Sequence, residues 1–169
     1  MKTLAQQMAI YNGYHLNAKN KATHFVGVPL IIFSLMIPLS WLSLAIGDMT
    51  ITAAMVFVAV VSLYYLVLDL PMGLLTVAAV LPLLWAGHRV AMMGAATGWT
   101  IFGLAFVAGW ILQLVGHVFE GRKPALADNF FQIFVAPVFL VAEVVFAAGA
   151  RMQLKREVEE LTAGASRHS

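Results

Sequence analysis

Two short polar constellations interrupt an otherwise apolar chain, and both are built from residues able to hold a metal or move a proton. The first is Tyr11, Tyr14, His15, Asn17, Asn20 and His24. Tyr11 and His15 are four positions apart, as are Asn20 and His24, so each pair can share a helix face. His15 and His24 are nine apart, which on one straight helix sets them on opposite sides. They converge only if the segment bends between them, and Asn17 or Asn20 is a suitable cap for a second helix there. The second constellation is Gln113, His117 and Glu120, spaced four and three, which aligns them along one stripe of an apolar helix. Neutral imidazole is the commonest metal ligand, and a carboxylate or amide can complete or orient the set. Three imidazoles with an open position suit Fe(II) or Zn(II).

Each of these residues also has a plainer reading. Tyr11, Tyr14 and Trp110 fit an interfacial belt of aromatics. A lone histidine at a membrane face is more often hydrogen-bonded than ligating, and Gln113 can simply bond across helices. Arg122-Lys123 fits a headgroup contact, Asp69 beside Pro71 fits a helix cap, and Glu143, deep in an apolar stretch, needs a partner. His88-Arg89 reads equally well as structural or functional. The two constellations carry the chemistry because they can be brought to one face.

The elements that must position them are read from composition. Of 169 residues 62% are hydrophobic and 11% charged, where a soluble domain averages about 25% charged. So few charges cannot build a solvated shell, and the mean hydropathy of +0.88 agrees. The expected fold is all-α: a single polytopic membrane-embedded bundle over residues 1–169, with a juxtamembrane segment at 1–24 and a charged tail at 150–169. Five apolar stretches are legible, from about Phe25 to Ile46, Ile51 to Leu68, Met72 to Gly87, Trp99 to Phe119 and Phe130 to Ala148. A span needs about 20 residues; the third stretch is short and contains Pro82. The runs are continuous rather than alternating, which disfavours strands. The polar residues before Phe25 do not read as a secretory signal.

Net charge is +2, too small an imbalance to call for nucleic acid. With no cysteine, thiolate sites, iron–sulfur clusters and cysteine nucleophiles are excluded. Five spans leave five basic residues on each side, so the positive-inside rule sets no orientation. Four crossings between the N-terminus and the loop after His117 return the chain to its starting side. His15, His24, His117 and Glu120 then share a face, and His88 falls on the opposite one.

The run YNGYHLNAKNKATHFVGVP, Tyr11 to Pro29, resembles the N-terminal signature of the 2-hydroxy fatty acid dioxygenase family, which includes a fungal endoplasmic-reticulum enzyme of phytosphingosine breakdown and bacterial relatives. The run GWILQLVGHVFEGRKPALADN, Gly109 to Asn129, resembles its second signature, and LPMGLL (Leu70 to Leu75) and HRV (His88 to Val90) also look like family features. The resemblance implies a dioxygenase of a bacterial cytoplasmic or endoplasmic-reticulum membrane that uses Fe(II) and O2 to shorten a 2-hydroxy fatty acid by one carbon. It implies His15, His24 and His117 as iron ligands and adds His88, against the crossing count. Glu120 is then a ligand or a base, Asn20 and Gln113 orient imidazoles or substrate, and Tyr11, Arg122 and Lys123 meet the substrate. Oligomeric state and chain length are not legible.

Three rivals stand beside this reading. The two-metal membrane hydroxylases carry many more histidines, including adjacent pairs, where this chain has five His and no His-His pair. A bis-histidine haem protein needs paired histidines on opposing helices. A non-enzymatic membrane scaffold or transporter predicts no bound metal and tolerance of His15→Ala and His117→Ala.

Overall fold

The computed structural model describes residues 2–124 and 130–166. Its first element, α1 (Leu4–Asn12), begins at a capping box in which Thr3 and Gln6 exchange side-chain and backbone bonds. After Gly13 the chain turns, and Asn17 caps α2 (Ala18–Trp41) by accepting from the Lys19 amide at 2.8 Å. The break required between His15 and His24 therefore falls at Asn17. The helix α2 runs through Pro29 and Pro38 without ending.

The apolar run after Trp41 does not continue as helix. Ser43–Ile46 and Met49–Thr52 form an antiparallel hairpin, β1 and β2, around Gly47-Asp48, with Gly47 at φ +60°. Apolar runs alone do not separate strand from helix; here a positive-φ glycine turn and the β-branched Thr50, Ile51 and Thr52 favour the strand pairing. Strands, disfavoured by the continuous apolar runs, occur among the described residues at this one ribbon. Thr52 then caps α3 (Ala53–Leu68), and Asp69 both ends α3 and caps α4 (Leu70–Ala91), accepting from the Met72 amide at 3.0 Å. The third apolar stretch is thus longer than read, since α4 incorporates His88 and Arg89 in its last turn. A backbone φ of +100° at Gly94 separates α4 from α5 (Ala95–Glu120), which ends at Gly121 in the left-handed region. A 3-10 turn (Phe130–Phe134), α6 (Ala136–Ala147) and α7 (Met152–Ser166) complete the described chain.

The fold is all-α apart from the hairpin. Three helices, α2, α4 and α5, are long and apolar enough to cross a membrane. The other two apolar helices, α3 and α6, have 16 and 12 residues, or about 24 and 18 Å. Those lengths fall short of a hydrocarbon core of about 30 Å, so of the five expected membrane-embedded helices three are long enough to span one.

The most extensive pairing joins α2 to α5, antiparallel, and glycines make it possible. A Cβ on Gly116 would lie 2.3 Å from Thr23 Oγ1 and 2.4 Å from Asn20 Oδ1; one on Gly98 would lie 2.5 Å from the Trp41 ring. No residue with a side chain fits at that approach. At the Trp41 end, α4 joins α2: the indole donates to the Ala91 carbonyl at 3.1 Å, and Gly87 packs against Met36. At the opposite end α1, α6 and α7 form a core of Met8, Val138, Phe139, Ala142 and Val158 beside Tyr65 of α3. Two ion pairs lock this end, Lys21–Glu143 at 2.8 Å and Arg151–Asp69. The first supplies the partner Glu143 requires.

Candidate metal centre

His15 sits in the turn between α1 and α2, His24 one and a half turns into α2, and His117 near the end of α5. One ring nitrogen from each lies within 4.8 Å of the others, and all three side chains are buried. His15 Nδ1 donates to the Tyr11 carbonyl at 2.7 Å, and His24 Nδ1 donates to the Asn20 carbonyl at 2.9 Å. A carbonyl only accepts, so both protons sit on Nδ1 and both Nε2 atoms carry lone pairs. Those two Nε2 atoms face each other at 3.1 Å. Two lone pairs at that separation repel unless a proton or a metal cation lies between them. A proton is disfavoured: burial holds the His15 imidazole at about 3, well below its usual range, although the Tyr11 carbonyl pulls the other way. The pair could hold a cation, with backbone carbonyls fixing the tautomers.

His117 closes the group, its ring centroid 5.0 Å from that of His15 and 5.2 Å from that of His24. Its Nδ1 is buried without a hydrogen-bond partner among the described residues. Three neutral imidazoles fit a divalent first-row metal and leave positions for other ligands.

The surrounding residues hold this geometry. Tyr11 stacks on His15 with centroids 4.0 Å apart and planes 9° apart, and packs against Phe139 behind. Glu120 accepts from the Leu16 amide (3.0 Å), the Asn17 amide (2.9 Å) and Asn20 Nδ2 (3.0 Å). Its carboxylate therefore fastens the turn after His15 to the helix end that bears His117, and it is not among the grouped metal-ligand atoms. Asn20 adds a second bond, from Nδ2 to the Tyr14 carbonyl at 3.1 Å. Arg122 donates to the Gly13 carbonyl at 3.1 Å, tying the same turn from outside. Arg122 and Lys123 also line a shallow groove with His117 and Leu114.

His88 does not join the three. It lies beside Gly87, which packs on Met36, and Met36 is twelve positions along α2 from His24, about 18 Å away. The grouped ligand atoms are those of His15, His24 and His117, so the four-imidazole arrangement is not formed among the described residues.

An apolar cavity of about 300 Å³ starts at the histidines. Tyr11, His15, His24, His117 and Gln113 line one part of it, and Val28, Ile31, Ile32, Leu35 and Met36 carry it along α2, with Val58 and Val80 opposite. Met36 and Val58 are themselves buried, so the cavity ends inside the protein there. Phe57 and Phe130, also in the lining, are exposed and mark its open side. Gln132, buried in the 3-10 turn, is among the lining residues that the sequence did not single out. Its signal was a lone amide inside the apolar run Phe130 to Phe134. Of the Gly109 to Asn129 run, residues 125–129 lie outside the described residues.

Comparison with known proteins adds two findings. Residues 1–148 match the family described as Mpo1-like, 2-hydroxy-palmitic acid dioxygenase Mpo1-like. The chain is 38% identical over 160 residues to the 2-hydroxy-palmitic acid dioxygenase MPO1 of Saccharomyces cerevisiae, covering 92% of this chain and 87% of the yeast protein. No solved structure matches it.

Proposed function

The chain belongs to the Mpo1-like family of 2-hydroxy-palmitic acid dioxygenases, and from that membership we propose that it is an Fe(II)-dependent membrane dioxygenase of long-chain 2-hydroxy fatty acids. The observation that carries the reading is the pair of facing Nε2 lone pairs on His15 and His24, closed by His117, at the head of an apolar cavity. His15, His24 and His117 would hold the iron. Bound there, Fe(II) would supply the redox chemistry that lets O2 react with the substrate. The overall change is a 2-hydroxy acid plus O2 giving the acid one carbon shorter, carbon dioxide and water. It balances without an external reductant, so no nicotinamide cofactor is required.

The protein's own residues do the rest. The alkyl tail lies along Val28, Ile31, Leu35 and Met36, away from water. If the acid arrives from lipid, that contact adds position more than affinity, since the tail was already out of water. Arg122 and Lys123 set positive charge in the groove beside His117 and draw in the carboxylate from the headgroup level. Tyr11 and Glu120 keep His15 in place. The placement in a membrane rests on the three long apolar helices.

The test is an assay of detergent-purified protein, prepared without oxygen, loaded with Fe(II), and given 2-hydroxypalmitate and O2. The acid one carbon shorter appears by mass spectrometry, and a chelator abolishes it. No product, with no metal retained, leaves the non-enzymatic scaffold.

A further inference from the structure

Two buried amides in the cavity lack partners among the described residues, and they lack opposite ones. Gln113 Nε2 is a donor without an acceptor, and Gln132 Oε1 an acceptor without a donor. The residues are 8% and 2% exposed, so water does not serve either from bulk solvent. Both line the cavity that His15, His24 and His117 line. Buried polar atoms are rarely left unpaired, and such a pair in a ligand cavity points to a ligand of complementary character.

Each is held in place by its own element. Gln113 lies over Gly27, where a Cβ would come within 2.6 Å of Nε2, so the amide occupies space that only glycine leaves. Gln132 belongs to the Phe130–Phe134 turn. That turn is pinned at its end by the Tyr65 hydroxyl, which donates to the Phe134 carbonyl at 2.8 Å.

We propose that Gln113 and Gln132 read the head of the substrate, with Gln113 Nε2 donating to a carboxylate oxygen and Gln132 Oε1 accepting from the 2-hydroxyl. The inference rests on the dioxygenase reading of the cavity. At neutral pH the head of a 2-hydroxy acid has one donor, its hydroxyl, and the carboxylate only accepts. An unsubstituted fatty acid has no donor, and would leave Gln132 Oε1 unpaired. Gln132 is therefore the residue that separates 2-hydroxy acids from the abundant plain ones.

The experiment measures displacement of a fluorescent fatty acid from Fe(II)-loaded protein under argon, so that nothing is turned over, with 2-hydroxypalmitate and palmitate as competitors. Wild type prefers the hydroxy acid by about tenfold, the effect of one well-made hydrogen bond. Gln132→Met, similar in volume, loses that preference while palmitate competes as before. Gln132→Glu keeps an acceptor and keeps the preference. Gln113→Met weakens both acids equally. If Gln132→Met does not fold, Gln132→Asn, which withdraws the acceptor by one methylene, is read for the same loss. A preference retained in these variants overturns the assignment to Gln132. A parallel aerobic sample of wild type separates the two failures: if it converts 2-hydroxypalmitate, only the head-reading proposal falls, and if it does not, the dioxygenase reading falls and takes the proposal with it.

Discussion

His15 and His24 point their Nε2 atoms at each other across 3.1 Å, while each spends its Nδ1 proton on the backbone carbonyl four residues earlier, Tyr11 for one and Asn20 for the other. The arrangement sets both tautomers before any metal arrives. It also sets a pH dependence. Burial lowers the His15 imidazole from 6.5 to about 3 in the folded protein. The unfolded chain binds a proton at His15 below about pH 6.5 and the folded one does not, so this contribution to stability is complete above that pH. It is lost progressively as pH falls toward about 3. The Tm of metal-stripped protein therefore declines across this window. His15→Phe, which fills the site without titrating, declines less; an unchanged slope would remove His15 as a source of the effect.

Glu120 is expected to act through position rather than by moving protons. Its carboxylate takes three N–H bonds from the turn that carries His15 and from Asn20. Glu120→Ala frees that turn, and iron affinity drops by about 10–100-fold, the usual effect of losing a group that orients a ligand. Glu120→Gln keeps one acceptor oxygen and falls between. Isothermal titration of iron under argon checks this. Full iron affinity with lost turnover would make Glu120 a base instead.

If the cavity holds the alkyl tail as proposed, its buried end is expected to set the preferred chain length. Met36 and Val80 line it there. Met36→Ala deepens it and shifts the kcat/KM profile of saturated 2-hydroxy acids toward longer chains, with about 2–5 kcal/mol of lost stability from the truncation. Val80→Phe shortens it and moves the optimum the other way. A profile unmoved by both would put the tail elsewhere.

Much of the site could be read in the sequence because its parts are local. The i,i+4 pairs Tyr11–His15 and Asn20–His24 return as the two hydrogen bonds that fix the imidazoles, and the cap at Asn17 provides the bend that joins them. The stripe of Gln113, His117 and Glu120 faces α2 as one helix face should. What could not be read depends on contacts distant in sequence. Lys21 and Glu143 are 122 positions apart, and nothing in either neighbourhood names the other. Gln132 becomes a candidate only once the 3-10 turn is seen to line the cavity. The hairpin after Trp41 was hidden because an apolar run carries no period of its own. For His88 the resemblance implied a fourth ligand, whereas among the described residues the grouped imidazoles are those of His15, His24 and His117 alone.

Iron stoichiometry by elemental mass spectrometry on purified variants tests the three-histidine centre most directly. Wild type and His88→Ala should each retain close to one iron per chain, and His15→Ala, His24→Ala and His117→Ala should retain almost none while still folding in detergent. Iron kept by His24→Ala, or lost from His88→Ala with the fold intact, would contradict a centre made of His15, His24 and His117.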